Sequence, residues 1–382
     1  MSFLSKEEPT NKILDAVYGC LLGGAYGDAL GYPVEFLQLK QIIDKYGKDG
    51  ITELVLKNGV AEISDDTQMT LYTANGILNY ETQSKIGNGS VTLSGCVFKA
   101  YEEWYNTQID SINNQPNKTC WIYNVNELHS RRAPGNTCLS AIANSGGIGN
   151  IDTPVNNSKG CGGVMRVAPV GCYFAKESEK AKNAALEGAE AAALTHGHTL
   201  GYIPAAFLSC LIYKIISNKA DNHFRDLCDT ISETYKIIYD MFKNKEHFKE
   251  FGDLINKAVE LSKSGTDDYD CIKELGQGWV AEETLAIALY SSLKYKLNFR
   301  QAINCAVNHD GDSDSTGAIT GNILGAYLGL SLIDKDRSFV TKLETNDIIF
   351  ELSQDLVHGC SGKNYDEKWR SKYIDASYGA GE

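Results

Sequence analysis

Almost no segment of this sequence alternates apolar and polar residues with a period of two, and no strand–helix repeat is present. Half-buried strands carry a period-two pattern, and parallel sheets need repeated strand–helix units. The absence of both patterns argues against a sheet-based fold. We therefore expect an all-α fold, a compact multi-helix bundle around one core.

Positive charge is also scarce, since 36 Lys and Arg oppose 49 Asp and Glu and give a net charge of −13. A nucleic-acid surface should be basic, so we expect no nucleic-acid partner. The eleven cysteines form no CxxC pair, and residues 1–10 are polar instead of forming an apolar secretory signal. These features predict a cytoplasmic protein with free, mostly buried thiols.

Long apolar runs are few, and the longest helix candidate, Thr316 to Ile333, is barely long enough to cross a bilayer. It contains Thr320 and Asn322, so we interpret it as buried core and expect no membrane partner. Glycines recur every fourth residue along it, at Gly317, Gly321, Gly325 and Gly329. The helix predicted over residues 11–31 repeats this spacing at Gly23, Gly27 and Gly31. Such glycines lie on one helix face, which predicts that the two helices pack closely together.

An acidic stretch, residues 308–317, directly precedes this glycine-spaced helix. Asp310, Asp312 and Asp314 would repel one another unless a cation lay among them, and Mg²⁺ and Ca²⁺ prefer such oxygen ligands. An EF-hand is excluded, because positions six and twelve counted from Asp310 hold Ser315 and Gly321. Helix capping is the alternative explanation, but one cap accounts for only one of the three acids.

A second acidic group, Ser64-Asp65-Asp66-Thr67, opens the apolar-periodic run from Met69 to Leu78. Ser64 or Asp65 could simply cap that helix. Together with the first group, however, it predicts that two helix N-termini converge on a single pair of metal ions. Glu35 and Asp28 lie near the end of the first helix, where the helix dipole does not favour a carboxylate.

The sequence has one clear glycine-rich loop, residues 158–166, before a probable helix. Its backbone amides could bind phosphate oxygens, although it matches neither a P-loop nor a dinucleotide fingerprint. A turn that binds nothing is the alternative. His196 follows an alanine-rich helix predicted over residues 181–193, and it is either a site residue or a core histidine.

The remaining chain predicts further helices over residues 203–217, 227–243 and 281–294, and a turn at residues 131–137 that leads into a helix. We expect surface excursions at residues 82–95 and 107–128, a charged solvated face or lobe at 243–272, and a polar surface tail beyond Gly359. The whole chain, 1–382, is interpreted as one domain, with a core over about 12–330 and a helical or surface extension over 331–382.

With both acidic groups placed, the sequence resembles the ADP-ribosylglycohydrolase family. The resemblance rests on residues 23–31 with Glu35, 64–67, 160–166, Thr195-His196 and 311–317, in the family's order. The sequence departs from the family pattern at Ser64 and Ser315, where many members have threonine, and at Asp310, where many have glycine.

The resemblance implies an all-α bundle with a central binuclear centre of two Mg²⁺, with Mn²⁺ as an alternative. The implied metal ligands are Ser64, Asp65, Asp66, Asp312, Asp314 and Ser315. The implied substrate-binding residues are Gly160, Cys161, Gly162, Gly163, Val164 and Met165 for the diphosphate, and His196 for the ribose next to adenine. Either Asp66 or Glu35 is expected to be the catalytic base.

The implied reaction is metal-dependent hydrolysis of the glycosidic bond between ADP-ribose and a modified protein side chain, with ADP-ribose as product. Arginine is the expected linkage, because the motifs look closer to the arginine-linked branch and because rim acids such as Glu35 and Asp28 could hold a guanidinium bidentately. The alternatives are serine-linked or other O-linked ADP-ribose, or an ADP-ribose-binding or toxin-immunity protein. His309-Asp310 also suggests an HD-type phosphohydrolase, but no companion histidine stands at helical spacing.

Overall fold

The computed structural model describes residues 12–86, 90–109, 118–144, 148–220, 225–360 and 365–379. Within these ranges the chain forms α-helices, short 3₁₀ helices and a single two-residue hairpin, so the all-α prediction is confirmed. The first nine α-helices are α1 (Lys12–Gly31), α2 (Leu39–Tyr46), α3 (Asp65–Ile86), α4 (Leu93–Gln108), α5 (Asn136–Ala143), α6 (Ala168–Phe174), α7 (Ala181–Ala193), α8 (Thr199–Ala220) and α9 (Leu227–Phe242).

The other α-helices are α10 (Phe248–Leu261), α11 (Asp268–Leu275), α12 (Ala281–Lys294), α13 (Phe299–Val307), α14 (Ser313–Leu328), α15 (Leu330–Ile333), α16 (Asn346–His358) and α17 (Glu367–Tyr373). The 3₁₀ helices are Tyr32–Val34, Trp121–Asn124, Asn126–His129, Cys161–Gly163 and Val340–Lys342. The strands β1 (Leu56–Lys57) and β2 (Val60–Ala61) pair antiparallel, with Leu56 opposite Ala61.

The two glycine-spaced helices, α1 and α14, pack against each other along their length, as predicted. A Cβ added at Gly23 would lie 2.6 Å from the carbonyl oxygen of Gly321, and one added at Gly31 would collide with the carbonyl of Ser313. The pairing is antiparallel, because the end of α1 meets the start of α14. It therefore carries the end of α1 to the acidic N-terminus of α14.

The predicted end of this second helix is wrong. Helix α14 ends at Leu328, because Gly329 adopts a φ of +89° and turns the chain into α15. Only glycine adopts this backbone conformation readily. Gly329 therefore ends the glycine-spaced face instead of extending it.

Segments predicted to be polar surface also bury apolar side chains. Helix α3 runs on to Ile86 and α4 begins at Leu93, so the excursion expected at 82–95 is helical at both ends; residues 87–89 lie outside the described residues. In the segment 107–128, residues 110–117 are likewise outside the described residues, but Trp121 and Ile122 are buried.

For residues 243–272 the sequence predicts a charged solvated face or lobe, and the structure shows a solvated face on a helix packed against the core. Helix α10 turns Phe248, Phe251 and Ile255 into the core. Beyond Gly359, α17 buries Trp369 and Tyr373, so the tail does not merely cover the surface. Both helices are amphipathic, with a narrow apolar stripe that packs on the core and a charged face that is exposed.

One described helix, α8, is long and apolar enough by length and composition to cross a membrane. Of its most apolar window, 89 % is buried inside the protein. Helix α8 packs against α6, α7 and α9. Its apolar character is therefore accounted for by its place in the bundle.

Candidate active site

Two helix N-termini form the base of the candidate site. Asp65 and Asp66 occupy the first turn of α3, while Asp312 precedes α14 and Asp314 lies in its first turn. The Ser315 backbone N–H donates to Asp312 Oδ1 at 3.3 Å and to Asp314 Oδ1 at 3.0 Å. Asp312 is therefore a helix cap, and the capping explanation accounts for that residue but not for the other acids.

Asp28, from the last turns of α1, fixes the position of residues 64–67. Its carboxylate accepts the Ser64 backbone N–H at 3.0 Å, the Thr67 backbone N–H at 3.1 Å and the Thr67 hydroxyl. Asp28 is fully buried, so the prediction that it lies on the rim and holds a guanidinium is wrong. Its unfavourable position near the C-terminal end of a helix was the sequence signal for a tertiary partner.

The turn at residues 131–137 is a second support that the sequence did not reveal. The Arg132 carbonyl accepts the Asp65 N–H at 3.2 Å, and the Gly135 N–H donates to Asp65 Oδ2 at 3.2 Å. The Arg132 guanidinium donates to the Ile63 carbonyl at 3.0 Å and pairs with Glu344. Asp65 is thus held from both its backbone and its side chain.

Glu35 follows the 3₁₀ helix Tyr32–Val34 and turns its side chain toward the start of α14. Carboxylate oxygens of Glu35, Asp312 and Asp314 all lie within 4.8 Å of one another. Asp310, the third acid of the stretch 308–317, is not part of this group. Its carboxylate instead accepts the Leu39 N–H at 2.6 Å and the Tyr269 hydroxyl at 2.7 Å. The acidic group at the site consists of six carboxylates, those of Asp28, Glu35, Asp65, Asp66, Asp312 and Asp314.

These six carboxylates are crowded and uncompensated. Burial, and after it the charge of Asp314, raises the pKa of Glu35 to about 11 and that of Asp28 to about 7. Burial likewise raises the pKa of Asp65, Asp66, Asp312 and Asp314. In the described part of the chain, no lysine or arginine forms an ion pair with any of the six.

This arrangement fits a hard divalent cation. Glu35 Oε2 and Asp66 Oδ2 are buried without a hydrogen-bond partner, and a buried unpartnered carboxylate oxygen is costly. The Ser64 and Ser315 hydroxyls flank the acids, and both side chains are buried. Carboxylate and hydroxyl oxygens are the donor set that Mg²⁺ prefers in proteins.

The glycine-rich loop lies beside the acids. The Cys161 N–H donates to the Trp279 carbonyl at 3.2 Å, and the Met165 sulfur lies 3.9 Å from the Ser315 hydroxyl oxygen. A Cβ at Gly162 would lie 2.8 Å from Cys138 Sγ and 3.1 Å from Cε1 of His196. Packing alone therefore requires glycine at this position.

His196 lies beneath this loop and is only 1 % exposed. Its Nδ1 lies 2.8 Å from the Thr195 hydroxyl, to which the Arg166 guanidinium donates at 2.6 Å. Burial, with a smaller contribution from Arg166, lowers the pKa of His196 to about 3, so the ring is neutral. Arg166 is itself fully buried and stacks on Tyr101, with its Cζ 4.2 Å from the ring centroid.

His309, the basis of the phosphohydrolase alternative, does not face the acids. Its Nε2 lies 3.0 Å from the Thr316 hydroxyl within the core. Burial lowers its pKa to about 4. His309 therefore supports the start of α14 as a neutral core histidine.

Comparisons with known proteins identify the family of this chain. A family model described as ADP-ribosylglycohydrolase matches residues 9–366. An uncharacterized protein of Archaeoglobus fulgidus is 26 % identical over 348 residues, which cover 88 % of this chain and 97 % of that protein. ADP-ribosylarginine hydrolase Tri1 of Pseudomonas putida is 24 % identical over 343 residues, 90 % of this chain and 78 % of that protein.

Human ADP-ribosylhydrolase ARH3 is 23 % identical over 198 residues, which cover 46 % of this chain and 52 % of that protein. A solved structure described as an ADP-ribosylglycohydrolase-related protein complex is 20 % identical, with a TM-score of 0.55 over 91 % of this chain and 99 % of that one. That likeness shows a shared fold. Because the family model spans nearly the whole chain, this protein belongs to the ADP-ribosylglycohydrolase family.

Proposed function

We propose that this protein is a Mg²⁺-dependent hydrolase that removes ADP-ribose from arginine side chains of modified proteins. The observation that carries the proposal is the convergence of buried carboxylates, without lysine or arginine partners in the described chain, from two helix N-termini: Glu35, Asp312 and Asp314 lie together, and the charge of Asp314 acts on Asp65 and Asp66 of α3. The membership of the ADP-ribosylglycohydrolase family supports the reaction class. The sequence-predicted ligands all lie in or beside this acidic group.

Two Mg²⁺ would be held by Asp65 and Asp66 at the start of α3 and by Asp312 and Asp314 at the start of α14, with the hydroxyls of Ser64 and Ser315. When bound, the ions would supply Lewis acidity toward the ribose hydroxyls and electrostatic stabilisation of charge at the anomeric carbon. The hydrogen bonds that Asp28 accepts from Ser64 and Thr67, and the one that Gly135 donates to Asp65, hold this set in place before substrate arrives.

The reaction needs a base that takes a proton from water while the water oxygen bonds to the anomeric carbon and the carbon–nitrogen bond breaks. The leaving nitrogen keeps the electron pair of that bond and receives the proton from the base, so that ADP-ribose and arginine are released. Glu35 and Asp66 each offer a buried carboxylate oxygen without a hydrogen-bond partner. These two side chains are the candidate bases, and each must lie within hydrogen-bond reach of the water.

The glycine-rich loop is the proposed binding site for the diphosphate. The Cys161 N–H of its 3₁₀ turn donates to the Trp279 carbonyl, so the N–H groups of Gly162 and Gly163 are the candidates to bind phosphate oxygens. Beneath it, Arg166 and Thr195 orient the neutral ring of His196. This positioning supports a role for His196 as a neutral hydrogen-bonding group toward the ribose.

Two observations support arginine as the linkage. Tri1, which matches 90 % of this chain, is an ADP-ribosylarginine hydrolase. Glu35, with its unpartnered oxygen, can accept hydrogen bonds from a planar, cationic guanidinium.

The test is incubation of the full chain with arginine-ADP-ribosylated and serine-ADP-ribosylated proteins, with and without Mg²⁺, while released ADP-ribose is measured. We expect release from the arginine-linked protein in Mg²⁺ and none in excess EDTA. A preference for the serine-linked protein of about tenfold in kcat/KM, ~1.4 kcal/mol, would overturn the linkage. Tight ADP-ribose binding without any turnover would overturn the hydrolase function.

Glu35→Gln and Asp66→Asn distinguish the two candidate bases. Both substitutions remove one negative charge, so the comparison is matched in charge. The variant that still binds Mg²⁺ and ADP-ribose but has lost turnover identifies the base. The variant that loses Mg²⁺ binding identifies a ligand.

A further inference from the structure

Two aromatic side chains lie exposed beside the site. Phe36 and Trp279 stack with their ring centroids 5.8 Å apart and an interplanar angle of 16°. Phe36 is 71 % exposed and Trp279 is 38 % exposed. Because Phe36 is so exposed although one face meets Trp279, its other ring face is open to solvent.

The pair bridges the acidic group and the glycine-rich loop. Phe36 directly follows Glu35, whose carboxylate lies among those of Asp312 and Asp314. The Trp279 carbonyl accepts the Cys161 N–H of the loop. The same segment reaches α14, since the Gln277 carbonyl accepts the Asp312 N–H at 2.9 Å.

The chemistry of this corner suits a planar cation. A guanidinium stacks on aromatic faces through its plane and its charge, and the unpartnered oxygen of Glu35, the residue before Phe36, is available to accept a hydrogen bond from it. An aliphatic alcohol such as serine has neither a plane nor a charge to use here. In the proposed binding mode, the diphosphate and adenine lie near the glycine-rich loop and His196. The modified side chain, which is the leaving group, therefore lies near Glu35.

We propose that Phe36 and Trp279 form the recognition site for the leaving side chain and select the guanidinium of ADP-ribosylated arginine. This inference rests on the proposed function. The guanidinium lies against the open face of Phe36, while Trp279 holds that ring in position. The pair is thus a specificity determinant and takes no part in bond breaking.

The test measures kcat/KM of wild type, Phe36→Leu and Trp279→Leu on arginine-linked and serine-linked ADP-ribosylated proteins, and the affinity for free ADP-ribose in Mg²⁺. We expect Phe36→Leu to lose about tenfold on the arginine-linked protein, ~1.4 kcal/mol in transition-state binding. Trp279→Leu should lose less. Serine-linked turnover, if present, and ADP-ribose affinity should change by less than about twofold.

The control variant is Leu332→Ala, since Leu332 is 72 % exposed and follows the far end of α14. This substitution should change kcat/KM on neither substrate. An equal loss on both linkages, a weakened affinity for ADP-ribose, or no loss at all in Phe36→Leu would each overturn the inference. Failure of the proposed function is seen separately, because the wild type would then release no ADP-ribose from the arginine-linked protein.

Discussion

Two groups of acids in this protein differ in whether lysines compensate their charge. Near the C-terminus, Lys372 donates to Asp355 at 2.5 Å and lies 2.9 Å from Glu351, while Lys368 lies 2.6 Å from Glu351. Burial raises the pKa of Glu351, but Lys372 and Lys368 outweigh it and lower that pKa overall. At the candidate site six acids meet, and in the described chain none of them has a lysine or arginine partner.

The difference shows how the protein separates structure from function. Acids that stabilise the fold form ion pairs with lysines. In the C-terminal group, such pairs connect α16 to α17. Acids that the chain leaves unpaired carry an electrostatic penalty that a bound cation would relieve. We therefore interpret the first group as structural and the second as a binding site.

The largest expected effect is on activity. Asp314→Asn should lower kcat/KM on the arginine-linked substrate at least about a thousandfold, ~4 kcal/mol, because it removes a proposed metal ligand at the centre of the acidic group. Asp355→Asn, the same substitution in the C-terminal group, should leave the activity of the folded enzyme unchanged. Comparable losses in both variants would contradict the distinction between the two groups.

The next effect concerns the stability of the C-terminal group. Lys372→Met should lower the free energy of unfolding by about 3 kcal/mol, because it leaves Glu351 and Asp355 without their buried partner. Urea denaturation of the purified variant measures this loss. The matched control is Lys249→Met, which removes an exposed ion pair with Asp253 and should leave the melting temperature unchanged.

Mg²⁺ should stabilise the protein by binding the six acids of the candidate site. A ligand present at a hundred times its Kd stabilises the folded state by about 2.7 kcal/mol, so the melting temperature of the metal-stripped protein should rise as Mg²⁺ is added. Asp312→Asn should lose most of this rise, while Asp355→Asn should keep all of it. A rise that survives in Asp312→Asn would locate the cation elsewhere.

The smallest expected effect is on the free energy of unfolding of the metal-free protein, which the same substitution should change in opposite directions in the two groups. Asp314→Asn should raise the free energy of unfolding, because it removes one of several crowded like charges, whereas Asp355→Asn should lower it. Each change is expected to be on the order of 1 kcal/mol, the size of a typical single substitution. Denaturation in EDTA checks both variants, and destabilisation by Asp314→Asn would show that its charge is already compensated.

Sequence reasoning identified the parts of the site that carry a local pattern. The four-residue glycine spacing predicted the packing of α1 on α14, and the acids at two helix starts predicted which N-termini would meet. It failed where partners are distant in sequence, because nothing in the sequence near Asp28 reveals that its carboxylate accepts hydrogen bonds from Ser64 and Thr67. The exposed pair of Phe36 and Trp279 was missed for the same reason, since 243 positions separate the two residues by their numbering.

The predictions of surface segments were incomplete for a different reason. Helices α10 and α17 carry many charges, which favoured a solvated interpretation, yet a few apolar side chains such as Phe251 and Trp369 fix each helix on the core. Burial follows the position of those residues on one helix face more than the overall composition.

The central claim is that the unpaired acids bind a divalent cation needed for hydrolysis, and one measurement tests it most directly. Release of ADP-ribose from an arginine-ADP-ribosylated protein is followed with metal-stripped enzyme while Mg²⁺ is restored. The account predicts no release without metal and recovery of full activity as Mg²⁺ saturates the site, with no recovery in Asp312→Asn. Full activity in excess EDTA would contradict it.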